Sequence, residues 1–116
     1  MQSLVDLRSD RRVATDIFVN QILSDRENLF GRAANISRGG MCVFSLARRA
    51  RGSSYLWICF WLPNSEELVR ALCEVIHVRD AGDVVRTGVK FKYMSPRHKA
   101  ILEQYLTGAH ESSFPC

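Results

Sequence analysis

The sequence predicts a single, mostly β domain: a six-stranded antiparallel β-barrel followed by one C-terminal helix. The chain has 116 residues, which is enough for one domain with one core. Six strand-like apolar segments are separated by short turns with no helical pattern between them, which favours a closed antiparallel barrel or a sandwich. A helical pattern follows the last segment. The composition, 47% hydrophobic and 24% charged, is that of a globular protein.

The first three strands are predicted from β-branched and aromatic residues bounded by turn residues. A polar segment at residues 24–28 separates the first two, and the tight turn Ser37–Gly40 separates the second from the third. A basic loop at residues 48–53 then leads towards the fourth strand. The three predicted strands are Val13–Asn20, Leu29–Ile36 and Met41–Leu46.

The last three strands are predicted in the second half of the chain. The first of them is apolar on both faces, so we expect its large side chains Trp57, Phe60 and Trp61 to lie in the core. The last of these strands alternates between apolar and basic residues, which indicates one buried face and one solvent-exposed face. The three predicted strands are Tyr55–Leu62, Leu68–Arg79 and Val84–Tyr93.

A helix is predicted after the last strand. Ser95 suits the N-cap and Pro96 the first helical position. An apolar stripe at helical spacing follows, and Gly108 suits the end of the helix. We expect this helix to cover one open end of the barrel. The predicted organisation is therefore a flexible N-terminal arm (1–11), a barrel with its closing helix (12–107) and a disordered tail (108–116).

The net positive charge is carried by arginine in the first half of the chain. Sixteen basic residues against 12 acidic ones give a net charge of +4, and 13 of the basic residues are arginine. Residues 1–51 contain nine arginines and five acidic residues, whereas residues 52–116 contain seven basic and seven acidic residues. Because a guanidinium group presents a planar fork of donors that matches phosphate oxygens and the guanine edge, this distribution favours a compact, nucleotide-like anion as the partner.

The sequence disfavours several other classes of protein. Its longest apolar run, Tyr55–Leu62, is far shorter than the ~20 residues needed to cross a bilayer, so we expect no membrane insertion. No signal-peptide pattern is present, and the four cysteines show no C-x-x-C pair, which together predict a cytoplasmic protein with reduced cysteines. Scattered histidines and the lack of a nucleophile–base arrangement predict neither a metal site nor an enzyme.

Two motifs flank the first two predicted strands. Arg8 and Arg12 form an R-x-x-x-R just before the first strand. Asn35, Ser37 and Gly40 form an N-x-S-x-x-G at the turn after the second. Arginine pairs at this spacing are expected ~1.5 times by chance in this composition, whereas [DN]-x-S-x-x-G is expected only ~0.06 times. The second motif is therefore the informative one.

With these motifs in place, the sequence resembles the PilZ domain family. Members of that family are six-stranded β-barrels with a C-terminal helix that act as bacterial receptors for cyclic di-GMP. The segment Thr87–Phe91 resembles the G-V-x-F of the family's last strand, and Ser95–Leu106 resembles its closing helix. The resemblance covers residues 8–106, nearly the whole chain.

The resemblance implies roles for the motif residues. Arg8 and Arg12 would bond guanine edges or phosphates of the dinucleotide. Asn35 and Ser37 would add short polar contacts from the turn, although residues of these types also bond turn backbone groups. Gly40 would permit a close backbone approach or a positive φ. Further candidates for auxiliary contacts, inside the motifs, are Arg11, Arg38 and Gly39.

The predicted function is that of a non-catalytic bacterial receptor or adaptor that binds cyclic di-GMP, needs no cofactor and signals to a downstream protein. A small basic barrel also suits single-stranded nucleic acid, provided that aromatic side chains point outward on adjacent strands beside basic groups. The arginine surplus is confined to the arm, the turn and the basic loop, so nucleic acid is the less favoured partner. A PilZ-like protein-interaction module without a ligand is a third hypothesis, and the intact motifs count against it.

Overall fold

The computed structural model describes residues 12–22, 27–46, 55–63 and 65–108. Within these ranges, six strands and then one helix follow along the chain, as predicted from the sequence. The predicted arm and the tail from residue 109 onwards lie outside the described residues. The predicted domain limits therefore stay predictions.

The six strands close into an antiparallel barrel. They are β1 (Val13–Ile22), β2 (Asn28–Ile36), β3 (Gly40–Ser45), β4 (Tyr55–Phe60), β5 (Val69–Ala81) and β6 (Val84–Met94). Hydrogen-bonded neighbours follow the order β1-β2-β3-β6-β5-β4, and β1 also pairs with β4. Closure removes the open sheet edges, so the barrel prediction is confirmed and the sandwich alternative is excluded.

Helix α1 covers Pro96–Thr107 and packs on the barrel core. The Oγ of Ser95 accepts a hydrogen bond from the backbone N–H of His98 at 3.2 Å, which is the contact of an N-cap. Pro96 occupies the first turn, where a missing N–H group costs nothing, and Gly108 follows the last turn. The predicted helix is confirmed, and its buried residues are Leu102 and Leu106.

Alternation along β4 corrects one prediction about the core. Leu56, Ile58 and Phe60 point inward and are buried. Trp57 is only half-buried, and Trp61 is 57% exposed. The expectation that both tryptophans belong to the core is wrong, because β4 alternates like its neighbours although both of its faces are apolar.

The described cysteines are in different states. Cys59 and Cys73 are free thiols. Burial raises the pKa of the Cys73 thiol to about 12, so this side chain packs as a small apolar group. Cys42 is disulfide-bonded, and the expectation that the cysteines are all reduced does not hold for it.

Candidate ligand site at the β2–β3 turn

The N-x-S-x-x-G motif forms the tight turn between β2 and β3. The Oγ of Ser37 accepts hydrogen bonds from the backbone N–H groups of Gly39 (3.1 Å) and Gly40 (3.2 Å). The Gly39 carbonyl accepts a hydrogen bond from the Phe91 N–H at 2.7 Å, which ties the turn to β6. Ser37 therefore satisfies backbone groups of the turn, and its contact with a ligand stays a prediction.

Gly40 lies where the backbone of β3 is packed tightly against that of β6. A Cβ at this position would overlap the carbonyl oxygen of Val89. Among the described glycines, a positive φ is found only at Gly82, in the β5–β6 hairpin. Of the two reasons that the sequence offers for a glycine at position 40, close backbone approach holds and positive φ does not. The backbone that lies close to Gly40 is that of β6, a strand of the same chain.

Two β-bulges set the direction of the motif side chains. The pairing of β1 with β2 shifts register between Ala14 and Ile17, and that of β2 with β3 shifts between Ala33 and Asn35. Ala33 and Ile36 are both completely buried in the core. The extra residue between them therefore turns Asn35 onto the outer face of the barrel.

A hydrogen bond between Arg12 and Asn35 joins the two motifs. The Arg12 Nη1 donates to the Asn35 Oδ1 at 2.6 Å, across 23 positions of the chain. Asn35 is 1% exposed and Arg12 is half-buried. A guanidinium group has five N–H donors, so this bond orients Arg12 and leaves donors for an anionic ligand. Arg8 and Arg11 lie outside the described residues.

Three further residues lie beside Asn35 in the same row of the barrel wall, and of these Cys42 and Gly88 are buried. Backbone pairing places Asn35 opposite Cys42, Cys42 opposite Gly88, and Gly88 opposite His77. These residues form one row across four strands. The His77 ring occupies the space in which a side chain at Gly88 would lie, and its buried Nδ1 has no hydrogen-bond partner among the described residues.

His77 belongs to neither of the two sequence motifs. The available signal was Gly88, since an isolated glycine within a strand indicates that another group approaches closely. The identity of that group could not be read, because it depends on the register between β5 and β6.

Comparison with known proteins identifies the family. Residues 6–108 match the family model described as PilZ domain. The chain is a member of the PilZ domain family. The family predicted from the two motifs is thereby confirmed. No curated protein matches the sequence.

Several solved structures share the fold of this PilZ domain. The Bacillus subtilis inhibitor of motility MotI/DgrA has a TM-score of 0.75 at 17% identity, with 92% of this chain and 51% of that chain covered. The PilZ domain of Escherichia coli YcgR with c-di-GMP has a TM-score of 0.66 at 18% identity, covering 86% and 89% of the two chains. The K. pneumonia MrkH–c-di-GMP complex has a TM-score of 0.71 at 16% identity, covering 92% and 51%. This PilZ domain thus spans about half the length of MotI/DgrA and of MrkH.

Arg38, another residue of the turn, is directed towards the helix. Its Nε lies 2.7 Å from Oε2 of Glu103, and its Nη2 donates to Oε1 at 3.1 Å. Both side chains are about half exposed, so this pair adds little stability. Of the predicted auxiliary residues, Arg38 therefore contacts α1 and Gly39 contacts β6.

The groups gathered near the β2–β3 turn of the PilZ domain are the guanidinium of Arg12, the amide of Asn35, the imidazole of His77 and the glycine turn itself. Such groups bind anions and the polar edges of bases. Within the described ranges, no group of three or more His, Cys, Asp or Glu is placed to hold a metal ion. The helix in the described part of the chain is too short and too polar to cross a membrane.

Proposed function

We propose that this PilZ domain is a receptor for cyclic di-GMP and that Arg12 and Asn35 lie at the centre of its binding site. The Arg12–Asn35 hydrogen bond carries the proposal, because it brings the arginine motif onto the turn motif. Two proteins of similar fold, the PilZ domain of YcgR and MrkH, have been solved with c-di-GMP. That similarity supports the same ligand here.

The chemistry of the ligand suits these residues. Cyclic di-GMP carries two phosphates and two guanines, and a guanidinium fork bonds either the phosphate oxygens or guanine O6 and N7. Asn35 acts as a positioning residue that fixes the plane of the Arg12 guanidinium. Arg8 supplies the second guanidinium, and Ser37 keeps the turn in shape. This role is non-catalytic and needs no cofactor.

The proposed output is a change in the surface shown to a downstream protein. Binding through Arg8 and Arg12 would draw residues 1–11 onto the barrel around the ligand. The sequence predicts a flexible arm there, so this step would cost conformational entropy that the contacts of both arginines would have to offset. The proposal includes the cytoplasmic location predicted from the sequence.

Isothermal titration calorimetry of the full chain with cyclic di-GMP tests this proposal. We expect saturable binding, and at least a tenfold weaker Kd for Arg12→Ala, since one charge-assisted pair of bonds is lost. Asn35→Asp keeps an acceptor for Arg12 and should stay within a few-fold of the parent. Arg97→Ala, which removes an exposed arginine on α1, is the matched control and should leave the affinity unchanged.

Absence of binding by the parent protein up to about 100 µM ligand would overturn the proposal. Equal affinities of Arg12→Ala and Arg97→Ala would show that the residue assignment is wrong even if the ligand is right. Circular dichroism of each variant separates loss of binding from loss of fold.

A further inference from the structure

The His77 ring lies flat against the barrel wall. Gly88 points outward, because Thr87 and Val89 on either side of it are buried at inward positions. A Cβ built on Gly88 would lie within 3.0 Å of three atoms of the His77 ring, Nε2, Cε1 and Cδ2. An approach in the ring plane would leave the two carbons clearly farther away than the nitrogen. The ring therefore turns one face to Gly88 and the other face outward.

Glycine at position 88 is what allows the ring to lie there. A larger side chain would occupy the space that the imidazole fills. His77 is only partly buried, so the outward face of its ring is accessible. Nucleotide bases stack on flat side chains of this kind, histidine included. The pair formed by His77 and Gly88 thus has the shape of a stacking platform.

Two polar atoms near this platform lack partners. The Nδ1 of His77 and the Nε of Arg86 are buried, and neither has a hydrogen-bond partner among the described residues. Arg86 precedes Gly88 by two positions in β6, so both lie on the same side of that strand. Buried polar groups are nearly always hydrogen-bonded, and two unbonded ones in neighbouring rows favour a ligand that supplies acceptors or donors.

The platform lies within reach of the proposed dinucleotide site. Asn35, Cys42 and Gly88 follow one another on the adjacent strands β2, β3 and β6. Because neighbouring strands lie about 4.8 Å apart, Gly88 is about 10 Å from Asn35 along the wall. In cyclic di-GMP, the two guanines project from opposite sides of one sugar–phosphate ring. A ligand held by Arg12 through a phosphate or one guanine can therefore extend its other guanine towards the platform.

We propose that the His77 ring stacks on one guanine of cyclic di-GMP and extends the site onto β5 and β6. This inference rests on the proposed function. Guanine offers a flat face to the imidazole, and its O6 and N7 accept hydrogen bonds from a guanidinium fork, which assigns Arg86 to the edge of the same base. The site then has two ends, a polar one at Arg12 and Asn35 and a stacking one at His77.

Isothermal titration calorimetry of the full chain with cyclic di-GMP tests the stacking role. His77→Ala removes the ring and should weaken the Kd about fivefold or more, the usual loss for one stacked base. His77→Phe keeps a flat ring without nitrogen atoms and should stay within about threefold of the parent. Ile76→Ala is the matched control, since it shortens an adjacent side chain that is 56% exposed, and it should leave the affinity within about twofold.

A spectroscopic measurement separates stacking from a purely structural role of the ring. The indole that His77→Trp adds should change its fluorescence when cyclic di-GMP is titrated in, beyond the change that Trp57 and Trp61 give in the parent. Gly88→Ala should displace the ring and weaken binding as His77→Ala does, with circular dichroism to confirm that each variant is folded.

The possible results distinguish this inference from the proposed function. Binding of cyclic di-GMP by the parent with the same affinity as by His77→Ala would overturn the stacking role and leave the receptor function intact. Equally weak binding by His77→Phe and His77→Ala would also overturn it, because the imidazole nitrogens and not the flat ring would then be the contact. Absence of binding by the parent would overturn the proposed function itself, and this inference with it.

Discussion

Asn35 and Ser37 lie two positions apart in one motif, yet their side chains have different partners. Ser37 bonds the backbone of its own turn, whereas Asn35 bonds Arg12 from the beginning of the barrel. Spacing in the sequence suggests that both face a ligand. The bulge before Asn35 and the tight turn after Ser37 separate their roles. We therefore expect Asn35 to influence affinity through Arg12, and Ser37 to influence it through the shape of the turn.

The packing of Gly40 against β6 leads to a stability prediction. Gly40→Ala would place a methyl group against the Val89 carbonyl, where backbone atoms must move to make room. We expect the free energy of unfolding to fall by roughly 1–3 kcal/mol, the usual cost of overpacking. Urea titration followed by circular dichroism measures this change.

Gly108→Ala is the matched control for that substitution. Gly108 has a φ of −99°, and no atom lies within 4 Å of the place where its Cβ would be. The urea unfolding midpoint of Gly108→Ala should therefore stay close to that of the parent protein. Equal effects at Gly40 and Gly108 would mean that the close approach of β3 to β6 is not what requires glycine at position 40.

At the scale of the elements, polar contacts hold helix α1 at both ends. Near its beginning, the Arg97 Nε donates to both carboxylate oxygens of Glu67, at 2.7 and 2.9 Å, and the His98 Nε2 lies 3.3 Å from the same group. Near its end, the Tyr105 hydroxyl donates to the Thr15 Oγ1 at 2.9 Å. The helix is thus fastened to the segment before β5 and to β1.

The contact between Glu67 and Arg97 predicts a pH dependence of stability. The hydrogen bond from Arg97 holds the pKa of Glu67 below its ordinary value of 4.5. A carboxyl group with a lowered pKa stabilises the fold above that ordinary value, and this contribution is lost as the pH falls through the folded pKa. Glu67→Gln should therefore lower the urea midpoint at pH 7, and its difference from the parent should shrink towards about pH 2.5.

The neighbouring exposed residue provides the control for this pH dependence. Glu66→Gln removes the same charge one position earlier. It should change the midpoint less than Glu67→Gln does at pH 7. A difference between Glu67→Gln and the parent that is the same at both pH values would show that the ionised carboxylate does not stabilise the helix contact.

For the molecule as a whole, the barrel interior is not uniformly apolar. Gln21 and Thr87 are both fully buried at inward positions of β1 and β6. The amide atoms of Gln21 and the Oγ1 of Thr87 have no hydrogen-bond partners among the described residues. An unbonded buried polar group costs about 1–3 kcal/mol, so these positions lower the stability of the barrel.

Replacing one of these groups should stabilise the protein. Thr87→Val exchanges the unbonded hydroxyl for a methyl group of similar size, and we expect the free energy of unfolding to rise by about 1 kcal/mol. Thr15→Val is the matched control, and it should lower the free energy of unfolding because it removes the acceptor of the Tyr105 hydroxyl. Thermal and urea unfolding of both variants would measure the changes. A destabilised Thr87→Val would mean that the hydroxyl is hydrogen-bonded in solution.

Much of the fold and part of the candidate site could be predicted from the sequence. The six strands, the N-cap at Ser95 and the N-x-S-x-x-G turn depend on residues close together in the chain, where periodicity and turn chemistry are informative. The burial of Trp61 was predicted wrongly, because an apolar strand does not show which of its faces is covered. The proximity of His77 to Gly88 could not be predicted, since it requires the register between two strands.

The sequence by itself determined the family, the barrel with its closing helix, and the arginine-rich character of the candidate ligand-binding motifs. These properties follow from local patterns and from two short motifs. Only the tertiary structure decided that Asn35 faces Arg12 and that the His77 ring covers Gly88. Each of these contacts joins different segments of the chain. They depend on strand register and on bulges, which arise from packing of the whole barrel.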